Sequence, residues 1–152
     1  MTLDEFFEIG VPTQIGSHVF DAEGIKAYAH KYDPQPFHTD EELARKSVFG
    51  GLCASGWHTA AAWMKRNVET PLKAWTGPAP APEFGPSPGI TNLKWLKPVF
   101  AGETVSYTRT VVAHRPIASR PGWRVVTVRA EGTDSTGDRV IEFDSAVLVK
   151  VD

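Results

Sequence analysis

The chain has 152 residues, and its sixteen Lys and Arg against eighteen Asp and Glu leave a formal charge of -2, so no cationic excess exists to neutralise a phosphate backbone and nucleic acid is not an expected partner. Hydrophobic residues make up 41% and charged residues 22%, a balance that excludes a disordered tail and suits one domain over 1–152, burying roughly 70% of the surface its unfolded chain exposes. Cys53 is the only cysteine, which excludes an internal disulfide and points to a reducing compartment.

The first five residues are acidic where a secretory signal is basic, and no long apolar run follows them, so a cytoplasmic protein is expected. The longest uncharged stretch, 48–64, falls short of the ~20 apolar residues a membrane span needs. It reads instead as a helix buried inside the protein, and no membrane partner is expected.

In chain order the pattern predicts helices first and strands after. Asp21 caps a helix over 22–31, with Ile25, Tyr28 and Ala29 on one face, which ends near Asp33-Pro34 because a residue before proline is pushed out of the α region. Thr39 and Glu42 have capping-box spacing and predict a short helix immediately after His38. After Gly50-Gly51, residues 52–66 carry helix-favouring Ala54, Ala60, Ala61 and Ala62, with Lys65 and Arg66 at the end where the helix dipole favours cations.

Residues 71–89 are dense in Pro and Gly, which excludes regular structure. They read as a long ordered loop, either a lid at the substrate entrance or a stiff surface connector. From Ile90 the pattern is strand-like over 93–97, 103–113, 123–131 and 139–151. In the last of these, Ile141, Phe143, Ser145, Val147, Val149 and Val151 share one face, while Glu142, Asp144 and Lys150 share the other. The expected class is α+β, an antiparallel sheet covering a buried helix.

Two segments could carry chemistry. Asp33-Pro34-Gln35-Pro36-Phe37-His38 sets a carboxylate and an imidazole across a turn stiffened by two prolines. Such a pair can bind and deprotonate water near neutral pH. The plainer reading is that Asp33 ends a helix and His38 precedes a cap. In the second segment, Phe49 to Trp57, glycines at the predicted helix start offer free amides and a positive dipole end to an anion such as a thioester oxygen gaining charge, with Gly51 as the candidate donor. Cys53 reads as a buried thiol and His58 as a packed residue. Trp57, Trp63 and Trp95 read as core or acyl-pocket aromatics, and Lys94, Lys97, Arg115, Arg120 and Arg124 as a solvated face. His18, His30 and His114 lack metal-ligand spacing, so neither a metal nor a cofactor is expected.

The run Asp-Pro-Gln-Pro-Phe-His-Thr-Asp from Asp33, followed by Phe-Gly-Gly-Leu-Cys-Ala-Ser-Gly-Trp-His-Thr from Phe49, resembles the hydratase signature of MaoC-like dehydratases and (R)-specific enoyl-CoA hydratases. The resemblance continues through Asn92 to Thr104 and covers most of the chain. It implies a single hotdog domain, with the sheet wrapped around a central helix, in a homodimer whose groove needs a second copy. It further implies a hydro-lyase of fatty acid metabolism acting on acyl thioesters of coenzyme A or acyl carrier protein, with catalytic Asp33 and His38 and an oxyanion amide at Gly51. The hydroxyl that positions the aspartate would be Thr59, with Ser55 the weaker alternative. Gln35 departs from the usual asparagine, which bears on acyl specificity. A thioester hydrolase and a non-catalytic acyl-binding subunit are the competing functions.

Overall fold

In the computed structural model of residues 1–152, Thr2 opens the chain with a cap. Its hydroxyl accepts from the Glu5 amide, the Glu5 carboxylate accepts from the Thr2 amide, and α1 (Leu3–Phe7) buries Phe6 and Phe7. Then comes β1 (Thr13–Phe20), so a helix and a strand precede the helix expected first, and the order of helices before strands is corrected. The pairing register of β1 shifts between Gln14 and Gly16, and Gly16 takes φ +111°. This bulge inverts the alternation, so that Ile15 and Phe20, of opposite parity in the sequence, are both buried.

Helix α2 (Ala22–Tyr32) forms as expected, with the Asp21 carboxylate accepting from the Gly24 amide and Ile25 and Ala29 buried. A short α3 (Pro36–Thr39) and α4 (Glu41–Arg45) follow. The α4 cap is Asp40 rather than Thr39: the Asp40 carboxylate accepts from Leu43 N at 2.9 Å, while the Thr39 hydroxyl donates back to the Gln35 carbonyl.

The central helix α5 (Gly56–Glu69) begins at Gly56, not at residue 52. Ala54 favours helix, but tertiary hydrogen bonds hold residues 52–55 extended: Ala54 N donates to Val99 O, Ala101 N to Leu52 O, and Cys53 bridges Phe100. Thr59, Ala62 and Trp63 form the buried face of α5. Trp63 is 1% exposed and donates its indole N–H to Thr108 O, and the Tyr107 hydroxyl donates to Thr59 O. At the far end the guanidinium of buried Arg109 donates to the carbonyls of Asn67, Thr70 and Pro71, satisfying groups that the helix terminus leaves without partners.

The remaining strands are β2 (Glu83–Phe84), β3 (Gly89–Trp95), β4 (Glu103–Pro116), β5 (Trp123–Thr133) and β6 (Arg139–Lys150). All pairings are antiparallel in the order β1-β4-β5-β6-β2, with β3 beside β2 along the same edge of β6. Helix α5 lies against β1, β4, β5 and β6, so the sheet wraps around it and the expected architecture forms. On β6, Ile141, Phe143, Ser145 and Val149 are buried as the alternation predicts. No helix is long and apolar enough to cross a membrane.

The proline-rich 71–89 segment contains β2 and packs on α1, with Trp75 edge-on to Phe6 and Phe84 edge-on to Phe7. None of its residues lines the cavity described next, and the pairing of Glu83–Phe84 with β6 corrects the expectation that its prolines and glycines exclude regular structure.

Candidate active site

Asp33 is the residue that ends α2, and Pro34 and Pro36 turn the chain so that His38, inside α3, faces back towards it. Both line a cavity of about 380 Å³ with Gln35, Cys53, Gly56, Trp57, Thr59, Trp95, Lys97 and Val140. His38 Nε2 lies 3.5 Å from Asp33 Oδ2, with the two side chains 8% and 16% exposed. The two residues of the sequence pair therefore meet in one nearly dry space.

The hydrogen bonds around the pair define its chemistry. His38 Nδ1 is 2.6 Å from the Cys53 carbonyl oxygen, and a carbonyl can only accept, so Nδ1 carries a proton, and whenever the ring is neutral Nε2 is its acceptor. Asp33 Oδ1 accepts from Gln35 Nε2 at 2.6 Å, and Oδ2 accepts from Ser55 Oγ at 2.7 Å. Burial pushes the Asp33 carboxyl up, but the bonds from Ser55 and Gln35, helped by His38, outweigh it and hold the group below its ordinary value.

The order of the two hydroxyls is the reverse of the expectation. Ser55, fully buried at the N-cap of α5, holds the aspartate, whereas Thr59 Oγ1 turns into its own helix and donates to Gly56 O at 2.6 Å. Gly51 lies outside the cavity lining, several residues before the helix. Gly56, the first residue of α5, does line it. The first amides of a helix have no intrahelical partner, and those of Gly56 and Trp57 make no other hydrogen bond. The Trp95 indole packs so closely on Gly56 that any Cβ there would overlap the ring.

Gly56 is the residue that sequence reasoning passed over, and its signal was a glycine directly after a serine in N-cap position; Gln35, read as bearing on acyl specificity, is found bonded to the acid.

Other candidates take structural places. Cys53 is 1% exposed and burial pushes its thiol up to about 11, so it is a buried thiol and not a nucleophile. His58 stacks on Tyr28 with centroids 4.4 Å apart, and burial, reinforced by His18, pushes it down to about 4. Trp57 and Trp95 meet edge to face at 4.9 Å at the cavity, each about half exposed, whereas Trp63 is core. Lys97 is bracketed by Asp134 at 2.7 Å and Asp138 at 2.8 Å.

A wrapped antiparallel sheet with an acid–imidazole pair beside the amino end of its central helix defines a hotdog-fold protein of the dehydratase class, and the MaoC like domain matches residues 8–133. The chain belongs to that family. It is similar to the structure of a MaoC-like dehydratase from Rhodospirillum rubrum, with a TM-score of 0.83 and 36% identity over 100% of this chain and 98% of that one. The uncharacterized protein YdeM of Bacillus subtilis is 28% identical over 150 residues, 99% of each chain. The (R)-hydratase from A. caviae involved in PHA biosynthesis shares the fold, with a TM-score of 0.67 and 21% identity over 95% of this chain and 96% of that one.

Proposed function

We propose that the protein is a hydro-lyase that adds water reversibly to a trans-2-enoyl thioester of coenzyme A or acyl carrier protein, giving the 3-hydroxyacyl thioester. The observation that carries this reading is Asp33 Oδ2 facing His38 Nε2 at 3.5 Å in the cavity, both of them acceptors when the ring is neutral. Two acceptors that face each other call for a molecule with two donor hydrogens, and water is the smallest one.

In the hydration direction the water is held by both groups. Asp33 is the weaker base, because both of its oxygens already accept hydrogen bonds and its pKa is held low. His38 Nε2 therefore takes the water proton while the oxygen bonds to the β carbon. The electron pair of the double bond moves through the α carbon to the thioester oxygen, which the Gly56 amide holds in place of Gly51. His38 then returns its proton to the α carbon, so that one water is added and no charge remains.

A homodimer fits this reading, since β3 is an exposed edge strand that ends in the cavity residue Trp95. The single buried cysteine fits a cytoplasmic setting.

The test is to incubate the protein with a short trans-2-enoyl-CoA, follow the absorbance of the conjugated thioester, and assay free thiol in parallel. Loss of absorbance without thiol supports the hydratase. Thiol release would reassign the protein as a thioester hydrolase, and neither signal would make it an acyl-binding subunit. Sedimentation showing a stable monomer at micromolar concentration would remove the dimer.

A further inference from the structure

A residue at the N-cap of a helix ordinarily turns its side chain onto the free amides, as asparagine does. Gln35 occupies that place in α3 and makes no such cap. Its longer side chain reaches back instead, and Nε2 donates to Asp33 Oδ1 at 2.6 Å. The backbone beneath it is pinned on both sides: Gln35 N donates to Asp33 O at 2.7 Å, and Gln35 O accepts from His38 N at 2.9 Å and from Thr39 Oγ1 at 3.2 Å. One residue, fixed between two prolines, therefore ties the acid and the imidazole to the same short piece of chain.

We propose that Gln35 is a positioning residue, which with Ser55 fixes the Asp33 carboxylate in one orientation and keeps it an acceptor, so that the proton of water passes through His38 Nε2. This rests on the hydro-lyase reading above. Each carboxylate oxygen receives one side-chain donor, from opposite directions in the sequence, and the face left over is the one turned to His38. A donor amide also complements the anion alone, since a protonated Asp33 would bring its own hydrogen to the oxygen that Gln35 or Ser55 already serves.

The other titratable or charged groups around Asp33 are few. His38 faces it from α3, Tyr28 and Tyr32 lie on α2, and Cys53 and Lys97 stand on the cavity wall. Burial, then Tyr32 and Asp33, push the Tyr28 hydroxyl up, so it stays neutral through the working range. Lys97 is already held by Asp134 and Asp138.

The proposal is tested with Gln35→Met, which keeps the length of the side chain and removes the donor, and Gln35→Glu, which sets a second anion beside the first. The position is exposed, so neither change disturbs the core. Two measurements are made on each full-length variant: kcat and KM at neutral pH with a short trans-2-enoyl-CoA, and the carboxyl titration of Asp33 by carbon NMR without substrate. In Gln35→Met the Asp33 midpoint should rise by about one pH unit, the size of a tenfold change in proton affinity. At neutral pH kcat should fall about tenfold while KM stays within about twofold, the mark of an interaction needed in the transition state and not in binding. Gln35→Glu should shift the Asp33 midpoint further upward, through like-charge repulsion.

An Asp33 midpoint and kcat in Gln35→Met equal to those of the wild type would overturn the proposal. If the wild-type protein hydrates no enoyl-CoA, the hydro-lyase reading fails by itself, and the NMR midpoint still decides whether Gln35 controls the carboxylate.

Discussion

Replacing Ser55 by alanine should weaken catalysis far more than replacing Thr59 by valine, and the two hydroxyls' partners show why. Ser55 is fully buried and gives its hydrogen to an anionic oxygen at 2.7 Å, while Thr59 gives its hydrogen to a carbonyl one turn back in its own helix. A hydrogen bond to a charged group is worth about 1.5–3 kcal/mol, and 1.36 kcal/mol is tenfold in rate, so Ser55→Ala should cost about 10–150-fold in kcat/KM. The lower end is the better expectation, because the Asp33 side chain keeps 16% exposure and water can partly replace the lost donor. Losing Ser55 also removes one of the bonds that hold the Asp33 carboxyl low, so the carboxyl midpoint of Asp33 should move to higher pH. Thr59→Val should leave that midpoint in place and change the rate by no more than about threefold, the scale of a weak neutral hydrogen bond. The assays are kcat/KM for hydration of a short enoyl-CoA and the carboxyl titration of Asp33 by carbon NMR. A Ser55→Ala enzyme with the wild-type midpoint, beside a Thr59→Val enzyme slowed tenfold or more, would refute the reasoning.

Asp33→Asn and His38→Ala should each lower kcat by about 10²–10⁴-fold, and the double variant should be little worse than the worse single, since the two act on one water; circular dichroism should show all three folded. His58 binds its proton more weakly folded than unfolded, at about 4 against the ordinary 6.5, so the stability it contributes is complete above pH ~6.5 and is lost as pH falls towards 4. Urea midpoints measured across that window should decline in the wild type and decline less in His58→Phe, and parallel curves would disprove the assignment. The Cys53 thiol, at about 11 and 1% exposed, should resist alkylation at pH 8 until denaturant is added, and rapid labelling of the folded protein would contradict its burial.

The strands of the second half were legible because long stretches of them keep period two, as Ile141, Phe143 and Ser145 on β6 illustrate, although the pairing of β4 with β5 shifts between Val111 and Ala113. Strand β1 was hidden because the bulge at Gly16 resets the alternation halfway along, and no periodic template spans a change of phase. The start of α5 was misplaced because Leu52 to Ala54 are held extended by Val99 and Phe100, partners more than forty residues away that local propensity does not sense. Gly51 therefore lies several residues before the helix, where the reading of the residues had set it at the helix start. Asp33 and His38 were legible because a turn built on Pro34 and Pro36 has few conformations to choose from. The choice between Ser55 and Thr59 was not, as it depends on where α5 starts and hence which hydroxyl faces the acid.

The indoles of Trp57 and Trp95 stand nearly perpendicular, 81° apart with centroids at 4.9 Å, on the wall of the cavity that holds Asp33 and His38. Two chromophores this close share their excited states, so the protein carries a built-in optical gauge of that cavity. The circular-dichroism couplet of the pair reports its angle, and its emission reports the polarity of the space both rings border. An acyl chain entering there changes both signals without any label, and buried Trp63 supplies a constant background against which the change is read.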